Sequence, residues 1–240
     1  MTSSSSPQFV PALLPAPLCE RWRQVAMRDI TRHRAADASD NFLPFSSSLR
    51  LRAVQADGLS LDALLQLLWQ GPLRQQVQRR LGPQVALLAD QCWARWQFPP
   101  DRAPLGHHAH GWHQDGALHA DFNASAPPDR LLRLLTCWIT LTPCGGDAPG
   151  LELLCKPLPS LLPPAALSTA QVNLHYRADD LWRPLMANGD ALLFGGDTLH
   201  RSHVTPAMRA ERISLELRFV AAVDRSPRLR LERKVILEAR

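Results

Sequence analysis

Residues 212–219 alternate without a break. Arg212, Ser214, Glu216 and Arg218 fall on one face of an extended chain, and Ile213, Leu215, Leu217 and Phe219 fall on the other. The pattern predicts a strand over 211–222, its apolar face packed against helices and its polar face lining a cavity. Upstream the spacing is helical. Leu18, Trp22, Val25, Met27 and Ile30 recur among charged residues and predict a helix from about Pro17. Ser60 with Asp62 suits the start of a second helix, whose apolar face is Leu61, Leu64, Leu65, Leu67, Leu68 and Trp69. Gly71-Pro72 interrupts it, and a third helix runs to about Arg80. After Gly82-Pro83 the texture changes. Residues 85–98 read as one or two strands, and further strands are expected at 111–115, 131–142, 151–155, 171–176 and 185–194, separated by Gly, Pro and Asp turns. Helices followed by many short strands point to a β sandwich or barrel with bracing helices, not a β-α-β array. The Ser-rich residues 1–9 are expected to be irregular.

Composition narrows the function classes more than it selects one. The 240 residues are 45% hydrophobic and 20% charged, which excludes wholesale disorder. No apolar run approaches the roughly 18 residues of a membrane helix, and the start lacks the basic region of a secretion signal. The formal net charge is +5, carried almost wholly by arginine; Lys156 and Lys234 are the two lysines. These arginines are scattered, and the basic tail after Arg225 has no interleaved aromatics, so no nucleic-acid role is expected. Cysteines at 19, 92, 137, 144 and 155 form no C-x-x-C pair. They imply buried thiols in a reducing, cytoplasmic setting and neither a disulfide framework nor a structural zinc site.

The histidines carry the chemistry. Five of them lie between 107 and 119. His113-Gln114-Asp115 is an H-x-D, which on a strand would project an imidazole and a carboxylate from one face. With a distant histidine it would complete the facial triad of a non-haem iron site. A second H-x-D, His119-Ala120-Asp121, sits in a more polar stretch and reads as a solvated loop. His107, His108 and His110 read as loop residues, one of which could reach a substrate. The segment from Gly189 to His203 offers His200 or His203 as the third ligand. Downstream, Arg212 with the Ser214 hydroxyl two residues on makes a fork suited to a carboxylate, and so to a dicarboxylate co-substrate beside the metal.

Four strings carry a resemblance. They are Trp-His-Gln-Asp at 112–115, Thr-Cys-Trp-Ile-Thr-Leu at 136–141 with the Pro-Cys-Gly-Gly-Asp-Ala-Pro-Gly-Leu-Glu-Leu that follows, Gly-Asp-Ala-Leu-Leu-Phe at 189–194 leading to Leu-His-Arg-Ser, and Arg-Ile-Ser at 212–214. In this order they resemble the phytanoyl-CoA dioxygenase family of iron(II)- and 2-oxoglutarate-dependent oxygenases. The resemblance implies a mainly β, double-stranded β-helix (jelly-roll, cupin-like) fold. It implies a single oxygenase domain over 10–240: a helical bracing segment at 10–82, a jelly-roll core at 83–222 and a basic segment at 223–240. His113, Asp115 and His200 would be the catalytic metal ligands; His200 is preferred because Ser202 follows it at the second position, as in the family. Arg212 would bind the far carboxylate of 2-oxoglutarate, helped by Ser214, with Ser202 and Trp138 near the co-substrate.

The cofactor set so implied is Fe(II), 2-oxoglutarate and dioxygen. The reaction implied is hydroxylation of an unactivated C–H bond of a small molecule or peptide, with release of succinate and carbon dioxide. Asp115 keeps the carboxylate that related halogenases lack, so hydroxylation, desaturation or ring closure is favoured over halogenation. Trp112, Leu118, Phe122 and His175 are candidate pocket residues. Competing readings are a zinc hydrolase on a β scaffold, which would leave Arg212 and Ser214 without a task, and a non-catalytic jelly-roll binding protein.

Overall fold

In a computed structural model of the chain, the described residues are 6–36, 40–56, 58–117, 133–156, 158–224 and 234–237. The helical half comes first. Strand β1 (Gln8–Val10) precedes helix α1 (Ala16–Ala35), the short strands β2 (Phe42–Leu43) and β3 (Ser48–Arg50), and helices α2 (Leu61–Trp69) and α3 (Pro72–Leu81). Ser60 caps α2 by accepting the Ala63 amide, as its sequence position foretells. Pro72 opens α3 and Gly82, at φ +95°, closes it. Among the described residues, no helix is long and apolar enough to cross a membrane.

The β half contains β4 (Val85–Leu88), β5 (Trp93–Gln97), β6 (Leu134–Thr140), β7 (Gly150–Leu154), the helix α4 (Thr169–His175), and β8 (Leu181–Trp182). It ends with β9 (Ala191–Gly195), β10 (His200–His203), β11 (Arg212–Ala221) and β12 (Lys234–Leu237). Nine strands form the large sheet, in the order β1-β9-β6-β11-β5-β3-β2, with β4 beside the far end of β11 and β12 beside β4. The small sheet is β10-β7-β8. All the described pairings are antiparallel. Two facing sheets with helices bracing the larger one make a double-stranded β-helix.

β11 lies at the centre, between β6 on one side and β5 and β4 on the other. Its alternation divides the molecule. Ile213, Leu215, Leu217 and Phe219 join the main core with Trp22, Ile30, Leu64 and Val77 of the helices. The Phe219 ring stacks on Trp69 of α2, 5.9 Å between centroids. The opposite face of β11 is buried as well, and it is the polar one. β6 follows the same rule: Cys137 and Ile139 enter the helical core, while Thr136, Trp138 and Thr140 share the face of β11's polar residues.

Three expected strands differ. Residues 171–175 lie in α4, with Tyr176 as its C-cap; the Ser168 cap accepts the Gln171 amide, and Val172 alone on this helix is buried. Residues 111–115 form no strand. His113 makes an isolated bridge to His200, and Asp115 begins a 3-10 turn, Asp115–Ala117. Of 185–194 only the end is strand, from Ala191, while Met186 forms a separate bridge to Cys144. Within the N-terminal stretch read as irregular, Gln8 and Phe9 belong to β1, which pairs with β9.

The Gly189-Asp190 pair holds this arrangement together. Gly189, at φ +84°, lies so close to the N-terminal arm that a Cβ would collide with the Leu14 carbonyl. Its amide donates to Thr140 O (2.8 Å) and its carbonyl accepts from Leu14 N (3.0 Å). The Asp190 carboxylate accepts from the amides of Ala12 and Ala187. Gly189→Ala is therefore expected to destabilise the protein by more than about 1 kcal/mol, read as a lowered midpoint in urea unfolding.

Candidate active site

The space between the sheets converges on three side chains. Nitrogen and oxygen atoms of His113, Asp115 and His200 lie within 4.8 Å of one another. Two backbone hydrogen bonds tie the histidines together, His113 N to His200 O (2.9 Å) and His200 N to His113 O (3.0 Å). Their rings are 4.2 Å apart. Each ring donates its Nδ1–H to a backbone carbonyl, His113 to Gly111 O (2.7 Å) and His200 to Thr198 O (2.9 Å). Both Nε2 lone pairs are thereby left for a metal. His113 Nε2 is 3.8 Å from Asp115 Oδ1.

Alternation on β10 separates the two candidates for the distal histidine. His200 and Ser202 share one face and line the site, while Arg201 and His203 lie on the other. There Arg201 pairs with Glu152 and covers the Trp112 ring at 4.6 Å. Trp112, expected at the pocket, instead packs with Leu154, Val172 and Leu199. His175 is exposed on α4 and takes no part in the site. Leu118, His119, Asp121 and Phe122 lie outside the described residues.

Asp115 is buried and strongly engaged. Arg218 donates Nε to Oδ2 (3.1 Å) and Nη2 to Oδ1 (3.0 Å), and Thr136 Oγ1 donates to Oδ2 (2.5 Å). Burial alone would raise the carboxyl's pKa, but Arg218, His200 and His113 together hold it well below the usual range. Arg218 also donates to Gln91 O and Glu216, and Glu216 pairs with Arg95. Arg95 donates to Ser48 and faces His110 Nε2 at 2.7 Å. The Arg95 charge, followed by burial, pushes the His110 pKa down, so its ring is a neutral acceptor. Sequence reading placed Glu216 and Arg218 on the polar face without finding their partners. Arg95 and Thr136 were missed; the available signal was one charge in the aromatic strand 93–97 and one hydroxyl in phase with Trp138.

The second cluster lies along β11 and β6. Arg212, 1% exposed, sits over the Trp138 ring at 5.1 Å and donates Nη1 to Gly150 O (3.3 Å). Burial lowers its pKa to about 10, which leaves it charged at neutral pH. Arg212 Nε, Ser214 Oγ and Trp138 Nε1 are all buried without a hydrogen-bond partner. A buried cation with one unsatisfied N–H and two unsatisfied polar neighbours is costly unless an anion completes them. Arg212 and Trp138 line the same cavity as the histidines, with Leu151 and Phe194 as its apolar wall.

A model of the family described as phytanoyl-CoA dioxygenase (PhyH) matches residues 9–210. The chain belongs to the phytanoyl-CoA dioxygenase family. Membership makes it a non-haem iron, 2-oxoglutarate-dependent oxygenase. Solved structures share its fold at low identity. The family member is similar to EctD from S. alaskensis with 2-oxoglutarate and 5-hydroxyectoine (16% identity, 91% of this chain and 73% of that one, TM-score 0.65). It is similar to HygX from Streptomyces hygroscopicus with nickel and 2-oxoglutarate bound (12%, 92% and 84%, 0.61). It is also similar to the epimerase SnoN in complex with Fe3+, alpha ketoglutarate and nogalamycin RO (12%, 91% and 80%, 0.55). No curated protein matches the sequence significantly.

The oxygenase's loop at 104–110 borders the site and contains a pH-sensitive contact. Gln97 Nε2 donates to His107 Nε2 (2.8 Å), and the other ring nitrogen meets Ser47 Oγ (3.2 Å). Burial, followed by the Arg34 charge, lowers the His107 pKa from 6.5 to about 4. In the unfolded chain this ring takes up its proton near pH 6.5, but in the fold only near 4, so acidification between those values favours unfolding. The unfolding midpoint of metal-free protein is expected to fall from pH 7 to pH 4, and His107→Gln should reduce that slope.

Proposed function

We propose that this oxygenase uses Fe(II), 2-oxoglutarate and dioxygen to hydroxylate an unactivated C–H bond of a small molecule. The observation that carries this reading is one cavity with two complementary halves. A His-His-carboxylate donor set lies at one end, and a buried guanidinium with unsatisfied hydroxyl and indole neighbours lies at the other.

His113 and His200 would hold the metal through Nε2, and Asp115 through its carboxylate. Iron bound with 2-oxoglutarate supplies the oxidising power, coupling decarboxylation to succinate and carbon dioxide with oxidation of the substrate. Arg212 would meet the far carboxylate of 2-oxoglutarate, with Ser214 adding a hydrogen bond; both are charge-assisted contacts in a water-poor space. Trp138 would floor this end with its ring and offer its indole N–H, while Ser202 lines the cavity from β10. Phe194 and Leu151 would keep water from the reacting centre. A zinc hydrolase would leave the Arg212 cluster unsatisfied.

The rest of the described wall is polar, formed by Arg95, His110, Thr136, Glu216 and Arg218. It supports a substrate with hydrogen-bonding groups of its own. The small molecules carried by EctD and SnoN in their structures support a small-molecule substrate here too.

Fe(II)-dependent formation of succinate from 2-oxoglutarate, screened against a metabolite library with ascorbate, tests the proposal. His113→Ala, Asp115→Ala and His200→Ala should each abolish it. Arg212→Ala should raise the 2-oxoglutarate concentration for half-maximal turnover by about 100-fold, because one end of the diacid loses its partner. An unchanged requirement excludes Arg212 as the anchor, and no Fe(II)-dependent succinate under any condition refutes the activity.

A further inference from the structure

We infer that Arg218 and Thr136 are positioning residues that turn Asp115 Oδ1, and not Oδ2, toward the metal position beside the histidines. The inference rests on the ligand set proposed above and specifies how one member of it is held. Asp115 opens a 3-10 turn instead of lying on a strand, so no strand pairing orients its side chain. Two backbone bonds secure the turn among the described residues, Gly116 N to Gly196 O (2.8 Å) and Ala117 N to Gln114 O (2.9 Å), and neither involves the Asp115 side chain. The carboxylate's direction is set from outside.

A carboxylate offers about four acceptor sites, two on each oxygen. Oδ2 takes two donors, Thr136 Oγ1 at 2.5 Å and Arg218 Nε at 3.1 Å. Oδ1 takes one, Arg218 Nη2 at 3.0 Å, and it is Oδ1 that faces His113 Nε2 at 3.8 Å. Among the described residues these donors leave one acceptor site, on the oxygen that faces the histidines. Oδ2 is closed to a metal on both sides.

The clamp itself is rigid. Arg218 uses Nη1 on Gln91 O (2.8 Å) and Nη2 also on Glu216 Oε2 (3.2 Å). Glu216 is held in turn by Arg95. Asp115 therefore cannot turn its second oxygen inward without breaking two bonds of its own and disturbing a buried chain of charges.

Co(II) is the probe, because its visible absorption reports coordination number; calorimetry gives its affinity. Thr136→Val keeps the side chain's shape and frees Oδ2 of one donor, and Arg218→Lys keeps the charge but loses the two-pronged grip. Both variants should bind Co(II) about 10- to 100-fold more weakly than the unaltered protein, with shifted visible bands. A purely structural role would lower the unfolding midpoint of the metal-free protein and leave the bands in place. Unaltered affinity and bands in Thr136→Val overturn the inference, whether or not Arg218→Lys folds. His113→Ala is the control for the site: it should abolish Co(II) binding. Failure of the unaltered protein to bind Co(II) would overturn the ligand assignment, and the inference with it.

Discussion

Arg212, Glu216 and Arg218 lie on the inner face of β11, buried against the second sheet. An ion taken from water into a protein interior costs several kcal/mol unless it is paired and hydrogen-bonded. The arrangement of this molecule follows from how that cost is met. Arg218 is neutralised by Asp115 and Glu216, and Glu216 by Arg95. Arg212 alone keeps an unsatisfied edge. The charges that are balanced build the scaffold, and the one that is not is the receptor proposed for the far carboxylate of the co-substrate.

Strand register joins this network to the hydrophobic core. The residues of β11 that face the helices are Ile213, Leu215, Leu217 and Phe219, and the first three each lie between two of the charged or hydroxyl-bearing positions. A one-residue slip would place Arg212 and Arg218 among leucines and turn the apolar set toward the metal-binding space. Packing against α1–α3 thus fixes which way the chemistry faces. The same coupling holds on β6, where Cys137 and Ile139 anchor the strand that presents Thr136 and Trp138.

The legible parts of the sequence were those with local periodicity or ordered motifs. Both faces of β11 could be read from alternation, the start of α2 from Ser60, and the convergence of His113, Asp115 and His200 from H-x-D together with the downstream Leu-His-Arg-Ser. What escaped depended on distance. Arg218 meets Asp115 across 103 residues, and no local pattern announces such a pair. β2 and β8 are two residues long, too short to show a period. α4 was mistaken for a strand because it buries only Val172, and a single buried position cannot distinguish a helical period from an extended one. The strand geometry expected of the H-x-D is not what brings it to His200: its side chains meet through a bridge followed by a tight turn, not through the two-residue repeat of a strand.

The paired amides and carbonyls of His113 and His200 close the small sheet onto the loop that carries Asp115. In small zinc modules the polypeptide collapses only around its ion, and removing the ion unravels the chain. Here the cradle is part of the masonry: its two imidazoles are mortared together by main-chain bonds, and β10, which carries one of them, is paired with β7 along its whole length. The polypeptide's own hydrogen bonds thus share with any bound ion the work of keeping the two rings side by side.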